Sequence, residues 1–199
     1  MAEKFVHVLK FLREIKIDGD FLEIGSNRGD GSTFVFASIA NGLGKQLYSV
    51  DIDPDVIERN RTEYENLPFR LPVNFCLSSG ENFLEQNKNL RFSVVLLDNF
   101  DWQWNPDNPE DFIKDQVERY RSHFNLEMNN VNSQSVHLSQ AIAVEPLLTE
   151  QAIIVCDDTY WSPQHGVYVG KCGAVVPYLL QKNFRIVQAH DTVVILIRH

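Results

Sequence analysis

The chain has 199 residues, 44% hydrophobic and 23% charged, with a formal net charge of −9 and a pI near 5.1. That size and composition describe one globular domain with a sizeable core. The acidic balance and the lack of any Lys/Arg run argue against a nucleic-acid partner, whose affinity rests on neutralised phosphates. No apolar run is long enough to span a membrane.

Residues 1–18 open the chain with an amphipathic helix pattern, strongest over 3–16, whose several charges do not suit a secretory leader. A first strand is predicted at 20–25 and a helix at 31–43. A second strand follows at 46–52, then Asp53-Pro54 as N-cap and first helical residue of a helix to 67. A third strand at 73–78 and a helix at 80–88 lead to a continuous apolar run at 92–97, the signature of a strand buried on both faces. The next such run is 152–156. The segment between them, 99–150, is far longer than an ordinary connection. Its Asn108-Pro109 start and the stripe Ile113, Val117, Tyr120, Phe124 predict one helix, and a second is expected at 134–145. The segment reads as a helical lid or a homodimer element. A helix at 168–182 and two strands at 184–188 and 193–197 close the chain. The polar link His190-Asp191 is too short for a crossover, so the last two strands pair antiparallel. Alternating strands and helices predict a doubly wound α/β domain with a mostly parallel sheet. Cys76, Cys156 and Cys172, odd in number and beside apolar runs, read as reduced thiols of a cytoplasmic protein.

The join between the first strand and its helix carries Glu23, Gly25, Ser26, Gly29, Gly31 and Ser32. Glycines there admit positive φ and a close ligand, and the helix start offers free N–H groups. The second strand ends at Asp51-Ile52, where a carboxylate can accept from ribose hydroxyls. Dinucleotides and S-adenosylmethionine both use this pair of features. The spacing separates them: Asn27 stands where a dinucleotide site wants its second glycine. Glu23 is a poor neighbour for a pyrophosphate and a good one for a sulfonium and an amino group. An NAD-dependent oxidoreductase is therefore disfavoured. Asp53 is better explained as a helix cap than as a ligand.

At these residues the chain resembles the class I S-adenosylmethionine-dependent methyltransferases over roughly residues 20–199. The resemblance implies a seven-stranded sheet in the order 3-2-1-4-5-7-6, last strand antiparallel, with helices on both faces. It also implies the methionine moiety at Glu23 and Gly25, the ribose at Asp51, and the adenine near 78–81, including Ser79.

Asp98 ends the fourth strand, and Asp157 and Asp158 end the fifth. If these strands are neighbours, the acids converge and repel unless a cation or proton joins them. Hard oxygen donors suit Mg²⁺. Here the resemblance narrows to the catechol-type and macrocin-type O-methyltransferases, whose metal triad Asp98, Asp157 and Asp158 match. It implies a Mg²⁺-assisted transfer of methyl to a hydroxyl of a small-molecule acceptor. The catechol-type enzymes place a catalytic lysine three residues after the first metal aspartate; this chain has Asp101 there, a candidate base that cannot act as a cation. His165 is a further candidate base, and Trp102, Trp104, Tyr160 and Trp161 could line an acceptor pocket. The missing lysine keeps open a second reading, a catalytically idle cofactor-binding or oligomerisation module.

Overall fold

The computed structural model describes residues 3–26, 29, 31–190 and 192–199; Asn27 and Asp191, which carry two of the sequence expectations, lie outside them. Nine strands and eight α-helices are formed among these residues. The strands are β1 (Asp20–Ile24), β2 (Leu47–Asp51), β3 (Val73–Leu77), β4 (Phe92–Leu97), β5 (Leu148–Cys156), β6 (Thr159–Ser162), β7 (Val167–Gly170), β8 (Arg185–His190) and β9 (Val193–Arg198). The helices are α1 (Glu3–Val6), α2 (Val8–Phe11), α3 (Ser32–Gly42), α4 (Pro54–Glu65), α5 (Gly80–Gln86), α6 (Asp111–Phe124), α7 (Asn130–Val144) and α8 (Val175–Leu180).

Seven strands form one sheet in the order β3-β2-β1-β4-β5-β9-β8. β9 runs antiparallel to both β5 and β8, and the other neighbours are parallel. This is the topology implied by the resemblance, with β9 and β8 in the last two places. Every residue of β4 is buried, as its apolar run requires. Successive residues point to opposite faces. Leu22, Ile24, Val95, Leu97 and Ile154 pack with α5, α7 and α8, while Phe21, Val94, Leu96, Ile153 and Val155 pack with α2 and α3.

The register aligns the ends of the central strands. Ile24 lies opposite Val50 on one side and Leu97 on the other, and Leu97 lies opposite Cys156. The next residues, Gly25, Asp51, Asp98 and Asp157, therefore leave the sheet side by side at its carboxyl edge.

Several segments differ from the sequence prediction, β5 among them, which begins at Leu148 and not at 152. The N-terminal helix expected over 3–16 is two single turns, α1 and α2. No side chain among the described residues caps α2, and the bonds Lys10 N–H to His7 and Glu14 N–H to Phe11 span three residues, a tighter turn than an α-helix. The helix expected at 168–182 begins only at Val175, because Val167–Gly170 pairs antiparallel with Thr159–Ser162 in a separate hairpin, β6-β7. Gly170, at φ +99°, makes the turn after it. α7 starts earlier than expected, since Asn129 caps it by accepting from Asn132 N–H at 2.8 Å.

Gly25 has φ +99°, and a Cβ there would lie 2.6 Å from the Asp98 carbonyl and the Asn99 nitrogen. Gly25→Ala should therefore lower the urea unfolding free energy by about 3 kcal/mol. Gly42→Ala, helical and with nothing within 4 Å, should be neutral or stabilising by about 0.5 kcal/mol.

Candidate active site

Two hollows meet above the carboxyl edge of β1, β2 and β4. The first, about 440 Å³, is a mostly apolar slot formed by Ile24, Val50, Ile52, Phe100, Tyr120 and Phe124, with Ser78, Ser79 and Glu81 at one end. The second, about 390 Å³, is polar and holds Gly25, Asp98, Asp101, Gln116 and Arg119. Asp51, Asn99, Phe100 and Tyr120 line both, so the two are lobes of one cavity. Their volumes lie in the range of small-molecule sites. A larger open groove, about 1230 Å³, runs along the edge strand β3 and contains neither the acids nor Gly25.

The insert supplies one wall. Tyr120 and Phe124, from the predicted stripe on α6, cover the apolar lobe. Arg119 holds α6 down by two bonds to Asp53, at 2.5 and 2.7 Å, and one to Asp55 at 2.7 Å. Asp53 also caps α4, as expected, accepting from Asp55 N–H at 2.9 Å. Burial pushes the Asp53 carboxyl up, and its bonds from Arg119 and the backbone N–H groups outweigh this and hold it below the usual carboxylate value. Phe100 takes φ +53°, held by Ser133 Oγ of α7 donating to its carbonyl at 2.8 Å.

The sequence-predicted cofactor residues divide. Gly25, Asp51, Ile52 and Ser79 line the cavity. Asp51 is half-buried and accepts from Ser26 N–H at 3.1 Å and from Asp53 N–H at 3.0 Å. Glu23 is not there. It is fully buried on the α3 side of the sheet and accepts from Ser32 Oγ (2.6 Å), Thr33 Oγ1 (2.7 Å) and Ser49 Oγ (2.7 Å). Burial pushes its carboxyl above the ordinary value while the three hydroxyls pull it back. Ser32 is thereby committed to Glu23, Gly31 caps α3, and Gly29 accepts from the Tyr64 hydroxyl at 2.8 Å. These four residues build the strand-to-helix joint and line neither lobe.

The acids converge as predicted: oxygens of Asp98, Asp157 and Asp158 lie within 4.8 Å of one another. The residue that sequence reasoning missed is Lys171. Its side chain is 1% exposed, and its Nζ lies 2.8 Å from Asp98 Oδ1, 3.2 Å from Asp101 Oδ1 and 3.2 Å from Asp158 Oδ2. Burial alone would lower the lysine; the surrounding aspartates outweigh it and hold the ammonium charged, well above its ordinary value. Asp98 is pushed well up, by burial first and then by the Asp157 charge, with Lys171 acting in the opposite direction. The oxygen donors suit a hard divalent ion, but an ammonium already stands among them, so the residues present do not fit Mg²⁺ as the cation of this cluster.

His165 lies apart from both lobes. It is exposed in the turn of the β6-β7 hairpin, bonded to Ser162 Oγ at 2.9 Å. Of the aromatic group, Trp104 stacks on Tyr160 with centroids 5.4 Å apart, and Trp161 meets Tyr168 edge-on.

His137, on α7, is the other buried group beside the cluster that the sequence did not single out. Its Nδ1 lies 2.7 Å from the Ser133 carbonyl, which can only accept, so Nδ1 carries the proton. Burial holds the ring neutral, with its pKa lowered to about 3. A pKa depressed from the unfolded value of about 6.5 gives stability that is complete above pH 6.5 and lost as pH falls toward 3, at about 1.4 kcal/mol per pH unit. Between pH 6.5 and 5 the wild type should thus lose about 2 kcal/mol of unfolding free energy more than His137→Leu, measured in urea.

No protein-family profile and no curated protein matches the sequence. Solved structures do match. A caffeoyl-CoA O-methyltransferase-like protein from Staphylococcus aureus superposes with a TM-score of 0.64 at 14% identity, covering 100% of this chain and 84% of that one. An rRNA-methylase-like protein from Clostridium thermocellum gives 0.59 at 14% identity, covering 98% and 95%. A Podospora anserina methyltransferase with S-adenosylhomocysteine bound gives 0.59 at 14% identity, covering 98% and 77%. No helix among the described residues is long and apolar enough to cross a membrane. The chain has the fold of the S-adenosylmethionine-dependent methyltransferases.

Proposed function

We propose that this protein transfers a methyl group from S-adenosylmethionine to a hydroxyl of a small-molecule acceptor. The observation that carries the reading is the two-lobed cavity. It joins an apolar slot to a polar chamber across Asp51, at the carboxyl ends of adjacent parallel strands, where ligands of such sheets bind. In this reading the adenine lies in the slot between Ile52, Phe124 and Ser79, and the ribose hydroxyls donate to Asp51. The backbone at Gly25 admits the methionine moiety, whose sulfonium then faces the carboxylates of Asp98 and Asp101. The acceptor oxygen attacks the methyl carbon in line, the carbon–sulfur bond breaks, and Asp101 accepts the hydroxyl proton. The work of the site is positioning and charge stabilisation.

The named acceptors of the matching structures differ, from caffeoyl-CoA to rRNA. The net charge of −9 favours a small molecule over a polyanion. The idle-module reading is motivated by Asp101 at the lysine position. Lys171, arriving from another part of the chain and touching Asp101, weakens that motive. The divalent ion expected from the sequence enters no step here.

Isothermal titration with S-adenosylhomocysteine should give one binding event per chain; a folded sample that takes up none would refute the cofactor. Asp51→Ala should weaken that binding by about 30-fold, the loss of charge-assisted hydrogen bonds to a ligand. His165→Ala should leave it unchanged.

A further inference from the structure

We propose that Lys171 is the resident cation of the Asp98, Asp157 and Asp158 cluster, a positioning residue that excludes a divalent ion from it. The inference deepens the reading of the same site, but it rests on the cluster's own geometry and not on methyl transfer. A lysine ammonium has three N–H donors. Here they meet three carboxylates, those of Asp98, Asp101 and Asp158, at 2.8, 3.2 and 3.2 Å. No donor is left over for an acceptor molecule, so Lys171 acts through the aspartates it holds.

The main chain fixes the ammonium where it is. Gly170 precedes it at φ +99°, so close to Asp158 that an added Cβ would lie 1.9 Å from the Asp158 carbonyl oxygen. Lys171 N–H donates to that same carbonyl at 3.1 Å, Cys172 N–H donates to Thr159 Oγ1 at 3.0 Å, and Gln134 Nε2 donates to the Gly170 carbonyl at 3.1 Å. Asp158 itself is held at φ +42°. This is a built delivery, from two sides, of one cation to one place. A divalent ion would need ligand oxygens at about 2.0–2.1 Å for Mg²⁺. Two of the three aspartates that could supply them already accept from the ammonium, and two cations sharing them in a buried site repel. Withdrawing the lysine to make room would leave its charge buried without a partner. The ammonium and the metal are therefore alternatives, and the fold has chosen the ammonium.

The test is Mn²⁺ binding, followed by the electron paramagnetic resonance signal of free Mn²⁺ with the full chain. Wild type should show no site tighter than about 1 mM. Lys171→Met and Lys171→Ala, checked for folding by circular dichroism, should each gain one site at least about tenfold tighter, because three carboxylates then converge with no cation. Adding Asp157→Asn to either should abolish the gain, and Lys171→Arg should not produce it. A sub-millimolar Mn²⁺ site in the wild type that Asp157→Asn removes would overturn the proposal. So would a folded Lys171→Met or Lys171→Ala that gains none. Where neither variant folds, the wild-type titration with its Asp157→Asn control decides alone. S-adenosylhomocysteine binding is a separate readout: its failure would remove the methyltransferase reading and leave the ion competition standing.

Discussion

The carboxyl edge of this sheet depends on one buried ammonium. Parallel strands in register deliver Asp98 and Asp157 side by side, Asp158 follows, and the loop after β4 adds Asp101. The same pairing that assembles a site thus assembles a repulsion, and buried carboxylates with no counter-charge cost several kcal/mol each. Lys171 offsets that repulsion at its centre, and much of the neighbouring chain exists to bring it there. The β6-β7 hairpin turns the chain back so that Gly170 pairs with Thr159 and the next residue enters the cluster. α7 closes the other side, with Ser133 on the Phe100 carbonyl and Gln134 on that of Gly170. Left-handed backbone at Phe100 and Asp158, just past the ends of β4 and β5, flanks the site, the kind of local strain that persists only where surroundings over-determine it.

Position along the strand explains why Glu23 and Asp51, both acids beside the glycine loop, do different work. Glu23 shares a face of β1 with Phe21, the face covered by α3. Its register partner is Ser49, and Ser32 and Thr33 open α3 above it. A residue within the strand cannot turn to the opposite face without a register slip, so its carboxylate ties β1, β2 and α3 together. Asp51, two residues beyond Ser49 on the same face, is the last residue of its strand and there reaches the cavity. A sequence motif sets both acids beside the glycine loop; their places along the strands decide which one reaches the cavity.

The central strands were legible because their information is local. The run over Phe92–Leu97 can only be a strand buried on both faces, and Asp53-Pro54 can only open a helix economically. The acids after β4 and β5 were legible once those strands were taken as neighbours. Lys171 was not, because nothing around it in sequence differs from a surface lysine on a helix. Its role is set by four aspartates that lie 13 to 73 residues away and by a hairpin whose two strands are four residues each. Strands that short carry little periodicity, and their pairing is decided by tertiary contact. The N-terminal turns failed for the opposite reason: the pattern is helical, but an uncapped segment of this length gains too little from its own hydrogen bonds to stay so.

The insert forms a wall of the cavity. A cavity formed only by β1, β2 and β4 would be open to solvent above Asp51. Tyr120 and Phe124 cover it, and both belong to α6, an element that the doubly wound sheet does not need for its core. What holds α6 there is Arg119, whose guanidinium bridges Asp53, nearly buried, and Asp55, largely exposed. The buried partner matters more, because an ion pair screened from water keeps more of its strength than an exposed one. Asp53 also caps α4 and donates its N–H to Asp51. The residue that anchors α6 is thus bonded to the residue that the two lobes share. Breaking the Arg119 bonds would leave the Asp53 carboxylate to its helix cap, so the seating of α6 and the setting of Asp51 are linked through two adjacent hydrogen bonds.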